Sequence, residues 1–377
     1  MKAIINGKIV FPDKIIPGTV LIEGDRIKAA GDVEIPEDAE IIDAEGFYVG
    51  PGLIDQHSHG YQDINQSINA KDEPARTAYA HLLKGTTSYL PSTDYCNTKE
   101  EHIKTVELCI EEIENNPDTS IVGIHLEGPF INNKFGSCSE KTMDYDEEFA
   151  ERLFALAGPY TLQCTYAPEL PNAKKVEEKL EKNKILPAIG HTCAGPEDIE
   201  RAVANGAKIC THLYDATGNY LGVEESAKRT QHPQDCTSDI LMAIPGLYYE
   251  LICDSKGLHV TPYSMRRTLR TAGEDYVVLI SDAFIEGTND DPEGDVNYDE
   301  HGSLCGSRLT VGKAAQNFMK ATDCGIRVAF KCASTNSAKA LGIYDRFGSV
   351  EEGKIANLVF VDDSFNVKKV IFKGHEL

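Results

Sequence analysis

Basic side chains are scarce in this sequence. The 377 residues include 37 Lys and Arg against 60 Asp and Glu, so the formal net charge is −23 at pH 7. A chain of this charge is repelled by the phosphates of nucleic acids and by anionic lipid surfaces. The composition therefore predicts neither nucleic acid nor a membrane as a partner, and an anionic ligand would depend on local basic groups.

Long apolar runs and paired cysteines are also missing. Lys8 and Asp13 interrupt the first apolar stretch, so no signal-peptide core is predicted. No window reaches the ~18 apolar residues of a membrane helix. The 11 cysteines are scattered singly, with no C-x-x-C pair. This pattern predicts a cytoplasmic protein whose cysteines are reduced thiols used as small apolar side chains.

Motifs for covalent catalysis and for phosphate loops are absent as well. The sequence has no G-x-S-x-G nucleophile motif, and it has neither a Walker loop nor a dinucleotide-binding Gly-rich loop. It therefore offers no support for a serine or cysteine hydrolase or for a nucleotide-binding enzyme.

Two β-rich segments enclose the chain. Alternating apolar and polar residues, punctuated by glycines, predict short strands in residues 2–50 and again in residues 348–377. Neither segment is large enough for a good core of its own. We therefore expect one small β-sandwich domain formed by residues 1–51 and 345–377, beside a second domain of residues 52–344.

The middle of the chain alternates short apolar runs with amphipathic helical stretches. Eight runs are predicted strands: 52–57, 86–90, 121–126, 162–166, 186–191, 208–214, 248–253 and 276–281. The clearest helices are predicted at 101–113, 147–156, 174–182, 197–205, 262–271 and 311–321. Eight apolar strands with helical crossovers predict an α/β fold, a (β/α)8 TIM-type barrel.

Polar residues of similar kinds follow several of these strands. In a barrel of this type the carboxyl ends of the strands meet at one mouth. Imidazole and carboxylate ligands together suit one or two divalent ions such as Zn²⁺ or Fe²⁺, which acidify water and supply a nucleophile without Ser or Cys. The candidate metal ligands are His57, His59, Glu127, His191, His212 and Asp282.

Spacing assigns these candidates to particular tasks. His57 and His59 lie two apart on a strand, so their side chains face the same way and can bind one ion. Glu127 can bind one ion or bridge two, and His191 with His212 would complete a second site. Asp282, at the end of the eighth strand, is placed to hold the nucleophilic water and accept its proton.

The remaining histidines receive simpler interpretations. His125 faces the same way as Glu127 and is predicted to be structural or to support a metal ligand. His81, His102 and His375 lie in helical or terminal segments and are predicted to be solvated. Cys193 is predicted to be a buried structural thiol.

The motifs resemble the amidohydrolase superfamily. PGLIDQHSHG (51–60) looks like its entry strand, and GSVEEGKIANLVFVD (348–362) is similar to its returning β segment. A narrower similarity is to the N-acetylglucosamine-6-phosphate deacetylase branch. It rests on GTTSYLPS (85–92), GIHLEGPFIN (123–132), IGHTCA (189–194), THLYDA (211–216), GLHV (257–260), LISDAF (279–284), GSRLT (306–310) and STNSAKALG (334–342).

The resemblance implies a role for each matching position. Glu127, His191 and His212 would bind the principal metal, and His57 with His59 a second one. Asp282 would be the catalytic acid and base, and His259 would contact the acetyl carbonyl or the sugar. The implied substrate contacts are His259, Asp215, Ala216, Cys138, Leu304, Cys305 and Gly306. A homodimer is also implied.

The activity implied is hydrolysis of the acetamide of an N-acetyl amino sugar, with N-acetylglucosamine-6-phosphate as the expected substrate. The chain departs from the pattern at Asp215 and Thr217, where Asn and Met are implied, and at Cys138, where His is implied. Lys228 and Arg229 are candidates for an arginine that the resemblance implies across a dimer interface. Other amides therefore remain as alternatives, namely an unphosphorylated amino sugar, an N-acetyl amino acid or a cyclic amide. A non-catalytic barrel scaffold is a further alternative.

Overall fold

The structure, a computed structural model, describes residues 1–62, 67–137, 142–218, 220, 236–285, 294–299 and 301–377. The strands are Lys2–Val10 (β1), Ile15–Glu23 (β2), Arg26–Gly31 (β3), Glu40–Asp43 (β4), Tyr48–Pro51 (β5), Leu53–Ser58 (β6), Gly60–Gln62 (β7), Ser67–Asn69 (β8), Thr86–Thr93 (β9), Ile124–Glu127 (β10), Thr161–Tyr166 (β11), Leu186–Ile189 (β12), Ile209–Cys210 (β13), Tyr248–Ile252 (β14), Val277–Ile280 (β15), Val296–Tyr298 (β16), Leu304–Ser307 (β17), Leu358–Val361 (β18), Val367–Phe372 (β19) and His375–Glu376 (β20).

The helices carry the amphipathic stretches that the sequence predicts, and each predicted helix is present within two residues of its expected ends. They are Pro74–Leu82 (α1), Lys99–Asn115 (α2), Glu147–Ala157 (α3), Ala173–Asn183 (α4), Pro196–Ala204 (α5), Thr237–Ala243 (α6), Pro262–Ala272 (α7), Val311–Thr322 (α8), Ile326–Phe330 (α9) and Asn336–Ala340 (α10), with a π-helical turn at Lys331–Thr335. No helix within the described ranges has the length and apolar character needed to cross a bilayer.

Helix ends follow their local sequence. Thr98 begins α2 with a capping box, because its side chain accepts from the Glu101 backbone N–H while the Glu101 carboxylate accepts from the Thr98 N–H. Pro196 occupies the first turn of α5, where a missing N–H has no cost. Gly206, with φ of 97°, follows the end of that helix in a backbone conformation that glycine adopts readily.

The barrel contains all eight predicted strands. They are parallel and adjacent in chain order, β6-β9-β10-β11-β12-β13-β14-β15. The first and last strands meet where the Asp282 N–H donates to the His57 carbonyl oxygen at 2.9 Å, just beyond β15. Each strand therefore sends its carboxyl end to the same face, which confirms the predicted (β/α)8 barrel.

Two of the barrel strands end two or more residues before their predicted ends. β12 ends at Ile189 and β13 at Cys210, whereas the apolar pattern extends the prediction to residues 191 and 214. The chain leaves the extended conformation at His191 (φ 48°) and His212 (φ 27°), which ends each strand. These bends turn both histidines into the mouth of the barrel.

The two ends of the chain join in a separate sheet. Its strand order is β20-β19-β18-β5-β1-β2-β3, with β4 also paired to β1. This sheet has its own apolar core, which includes Ile4, Ile9, Phe360 and Ile371. The predicted small β domain built from both termini is therefore confirmed, while its exact boundaries, 1–51 with 345–377 against 52–344, stay a prediction.

Gly50 brings the small domain against the barrel. A side chain at this position would overlap the ring of Phe330, which is buried in the barrel core. Phe330 in turn packs on Phe365, with ring centroids 4.7 Å apart. The contact between the two domains therefore depends on a residue without a side chain.

We expect Gly50→Ala to lower the stability of the protein by about 1–3 kcal/mol, because a Cβ overpacks a filled core. Thermal unfolding of the metal-loaded protein measures this as a drop in Tm of several degrees. Gly325→Ala is the matched control, since a Cβ there meets nothing within 4 Å and φ is an ordinary −80°. Equal Tm values for the two variants would contradict the packing argument.

Candidate metal centre and substrate cavity

Glu127, the last residue of β10, is surrounded by imidazole nitrogens. Its Oε1 lies 3.0 Å from the Nε2 of His191 and 3.1 Å from that of His212. Its Oε2 lies 3.0 Å from the Nε2 of His59, and Oε1 lies 3.3 Å from the Nε2 of His57. One buried carboxylate therefore contacts four histidines from three different segments of the chain.

Asp282 completes this cluster from the end of the eighth strand. Its Oδ1 lies 3.3 Å from the Nε2 of His57 and 3.5 Å from that of His59. The structure thus brings together all six predicted metal ligands.

Three of the six residues have a left-handed backbone. The φ angles are 48° at His191, 27° at His212 and 44° at Asp282. Non-glycine residues in such conformations carry strain of order 1–3 kcal/mol each, which the surrounding fold must offset. All three follow directly on barrel strands, so the bends aim these side chains at Glu127.

The neighbouring charges shift the pKa values of Glu127 and His57 in opposite directions. Burial by itself would raise the pKa of the Glu127 carboxyl, but His57, His59 and His191 hold that pKa well below its usual range. Burial lowers the pKa of His57, yet the carboxylates of Asp282 and Glu127 more than offset it, so this pKa lies well above its ordinary value. Glu127 is therefore an ionised, ready-made cation ligand.

The donor set fits a divalent cation. A tetrahedral ion with ligand bonds of ~2.0–2.1 Å sets its ligand atoms roughly 3.3 Å apart. The Nε2 atoms of His57 and His59 lie 3.3 Å apart, and those of His191 and His212 lie 3.0 Å apart. Where no N–H lies between two facing nitrogens, both lone pairs can bind the same cation. Among the described residues, two groups have all their possible ligand atoms within 4.8 Å of one another: His57 with His59 and Asp282, and His57 with Glu127 and His212.

Supporting groups orient the rings. The Nδ1 of His57 lies 3.3 Å from a Glu250 carboxylate oxygen, and the Nδ1 of His191 lies 3.0 Å from the Phe135 carbonyl oxygen. An N–H donated on that side leaves the opposite nitrogen free to bind an ion. Glu250 is absent from the sequence predictions, although a lone acidic residue inside the apolar strand β14 is a signal that could have identified it.

His259 stands near the cluster, outside the ligand set. Its Nδ1 lies 3.2 Å from an Asp215 carboxylate oxygen, and its Nε2 lies 3.1 Å from the Gly306 carbonyl oxygen. Gly306 belongs to the β16–β17 hairpin, an insertion after the eighth strand that the sequence analysis does not predict. This hairpin forms one wall above the predicted metal ligands.

A cavity of about 330 Å³ opens over the cluster. The predicted contact residues His259, Asp215, Ala216, Leu304, Cys305 and Gly306 all line it. Cys138, the remaining predicted contact, lies outside the described residues, as do Lys228 and Arg229. Tyr95 and Phe284 also form part of the wall and are not anticipated from the sequence.

The described wall of this cavity is acidic. It includes five carboxylate side chains, Asp94, Glu127, Asp215, Asp282 and Asp299, and no Lys or Arg within the described part of the chain. Among the residues that the structure describes, the cationic groups facing the cavity are histidines. A negatively charged substrate would therefore meet repulsion from these carboxylates unless a bound cation or His259 offset it.

The sequence predictions for the other histidines are correct for some and wrong for others. His125 is hydrogen-bonded at both ring nitrogens, to Ser92 and Thr165, as expected of a structural residue. His375 is exposed, as predicted. The prediction that His81 and His102 are solvated is wrong, because both are fully buried and burial lowers the pKa of His81 to about 4 and that of His102 to about 3. Each lies on the helix face that packs on the barrel.

Fold and site together define the class of metal-dependent hydrolases built on a (β/α)8 barrel. The model of the amidohydrolase family matches residues 48–377, so the chain belongs to this family. This confirms the resemblance of the sequence motifs.

Relatives of known name narrow the comparison. The chain is 27% identical over 350 residues to an N-acetylglucosamine-6-phosphate deacetylase of Lysinibacillus sphaericus, covering 88% of this chain and 86% of that protein. It is 27% identical over 387 residues to the deacetylase of the same name from Bacillus subtilis (strain 168), covering 98% and 92%. The crystal structure of N-acetylglucosamine-6-phosphate deacetylase from Pasteurella multocida superposes with a TM-score of 0.86 at 23% identity, covering 100% and 99%.

Proposed function

We propose that this protein hydrolyses the acetamide of an N-acetylated amino sugar, with N-acetylglucosamine-6-phosphate as its substrate, and releases acetate and the free amine. The observation that carries the proposal is the convergence of Glu127, four histidines and Asp282 beneath one cavity. The named relatives support the same chemistry.

We propose specific ligands for the metal. Glu127, His191 and His212 would hold the principal ion, and His57 with His59 a second one, with zinc or iron favoured by mixed imidazole and carboxylate donors. When bound, a divalent ion acidifies water and polarises the acyl oxygen.

Asp282 serves in this proposal as the acid and base. Its carboxylate accepts the proton of the attacking water as the water oxygen bonds to the acetyl carbon. It then donates that proton to the nitrogen as the C–N bond breaks, so the amine leaves neutral. The position of Asp282 beside His57 and His59 supports this role, because a water held at the cluster lies within its reach.

The sugar would lie against the wall opposite the ligands. Asp215, Ala216, Leu304, Cys305 and Gly306 line that wall, and the proposal assigns them contacts with the sugar, together with Cys138 outside the described residues. His259 would donate a hydrogen bond to a substrate oxygen.

The substrate is tested by comparing kcat/KM for N-acetylglucosamine with and without its 6-phosphate. We expect the phosphorylated sugar to be preferred at least about tenfold, since one charge-assisted contact, for which Lys228 and Arg229 outside the described residues are the candidates, contributes roughly 1.5–3 kcal/mol. Equal rates, or a preference for the plain sugar, would select the unphosphorylated alternative. N-acetyl amino acids and a cyclic amide in the same assay test the other amides.

A metal-loaded protein that hydrolyses none of these substrates would overturn the proposed activity. Metal analysis of the purified protein separates that result from a non-catalytic scaffold, which would have no metal.

We further propose a cytoplasmic homodimer. The ten cysteines in the described part of the chain are free thiols, which supports a reducing compartment.

A further inference from the structure

His259 lies between two groups that can only accept hydrogen bonds. Its Nδ1 faces the Asp215 carboxylate at 3.2 Å and its Nε2 faces the Gly306 carbonyl oxygen at 3.1 Å. A neutral imidazole has one N–H and one lone pair, so it can satisfy only one of these acceptors. Both contacts are hydrogen bonds only when both nitrogens carry protons.

Because His259 is buried, its imidazolium depends on a nearby group of opposite charge. The side chain of His259 is 3% exposed, and that of Asp215 is 21% exposed. The second oxygen of Asp215, Oδ2, is itself buried and has no hydrogen-bond partner among the described residues. The imidazole of His259 is therefore the side-chain partner that this carboxylate has in the wall of the cavity, among the described residues.

Separate backbone contacts hold the two partners in place. The Asp215 N–H donates to the His212 carbonyl oxygen at 2.9 Å, within the turn that follows β13. The His259 N–H donates to the Asp254 carboxylate at 2.9 Å. Each residue is therefore held by a backbone hydrogen bond of its own, in addition to the contact between the two side chains.

We infer that Asp215 is a positioning residue that keeps His259 doubly protonated, so that its Nε2–H can be donated to a substrate oxygen in place of the Gly306 carbonyl. This inference rests on the proposed function, and it assigns Asp215 an electrostatic task in addition to contact with the sugar.

The direction of the pKa shift agrees with this geometry. Burial lowers the pKa of His259, but the hydrogen bond and charge of Asp215, together with the charges of Asp282 and Asp254, raise it to about 9. The imidazolium is therefore present below this pH and is lost as the pH rises through it. Of the three carboxylates, Asp215 is the one in direct contact with the ring.

The test is the pH profile of an Asp215→Asn variant. If the pKa of His259 falls to its ordinary 6.5, the protonated fraction at pH 8 drops roughly 30-fold, whereas at pH 6 it changes less than twofold. We therefore expect kcat/KM to fall about 30-fold at pH 8 and to stay near the wild-type value at pH 6. An equal loss at both values would overturn the inference.

Asp299→Asn is the matched control, because it removes a carboxylate from the same cavity wall. The Asp299 oxygen accepts from the backbone N–H groups of His301 and Ser303, and the residue is not among the groups that shift His259. In the Asp299→Asn variant, the fall of kcat/KM at high pH should keep its midpoint near pH 9. A downward displacement as large as that of Asp215→Asn would also overturn the inference, since net charge alone would then explain the effect.

A direct titration decides the question without turnover. Histidine-labelled, metal-loaded protein is followed by NMR, and the His259 signal is identified by its loss in His259→Asn. We expect its midpoint to move from about pH 9 to 7 or below in Asp215→Asn. An unmoved midpoint overturns the inference, whereas absence of turnover in the wild type with a moved midpoint overturns only the proposed function.

Discussion

We expect an Asp282→Asn variant to keep its metal and to lose nearly all turnover. The amide of Asn cannot accept a proton from water or return one to the leaving nitrogen, and general acid–base groups contribute ~10²–10⁴-fold. We expect kcat to fall about 10³-fold. The fold should survive, because Asn has the same shape and the Asp282 backbone N–H still closes the barrel at the His57 carbonyl.

Metal content and kcat must be measured on the same preparation for this result to have meaning. Asp94→Asn is the control, since Asp94 lines the same cavity but is not part of the ligand cluster. We expect Asp94→Asn to retain at least a third of wild-type kcat. Turnover of Asp282→Asn near the wild-type rate would remove this residue from the mechanism.

A Glu127→Gln variant loses the metal itself. Glu127 is the anionic group that contacts all four histidines, so its amide leaves the imidazoles without a central negative charge. We expect metal affinity to fall at least ~100-fold, and activity with it, since the principal ion would then lack the negative charge that Glu127 supplies.

Glu250→Gln provides a graded comparison. Glu250 contacts one ligand ring, the Nδ1 of His57, and its removal should weaken metal binding by 10–100-fold or less. Elemental analysis after dialysis against a weak chelator measures both variants. Full metal occupancy in Glu127→Gln would contradict the proposed ligand set. An equal loss of metal in both variants would show that Glu127 contributes no more to metal binding than Glu250, which would contradict the central position that the geometry gives Glu127.

The strands and helices of the barrel could be predicted, because the signals for each one lie within its own short stretch of sequence. Apolar runs of strand length alternate with amphipathic stretches that carry their own caps, such as Thr98 with Glu101 and Pro196. These signals place all eight barrel strands and six of the helices. The β16–β17 hairpin escaped prediction, because its short strands, 296–298 and 304–307, have no periodic apolar pattern.

The convergence of the six cluster residues could also be predicted, because it follows from the topology of the barrel. Once eight parallel strands close, polar residues at their carboxyl ends share one mouth whatever their distance along the chain. The burial of His81 and His102 could not be predicted in this way. Polar residues on helices are usually solvated, and their burial here depends on which helix face packs on the barrel.

The sequence by itself determined the type of fold, the family and the six residues of the cluster, because residue type and spacing along each strand encode them. Only the tertiary structure decided how those residues are charged and held. Asp215 and His259 are 44 residues apart and His57 and Glu250 are 193 apart. Their contacts depend on angstrom-scale closure of the barrel and on burial, and these alone set which of the charges on this acidic chain face the cavity.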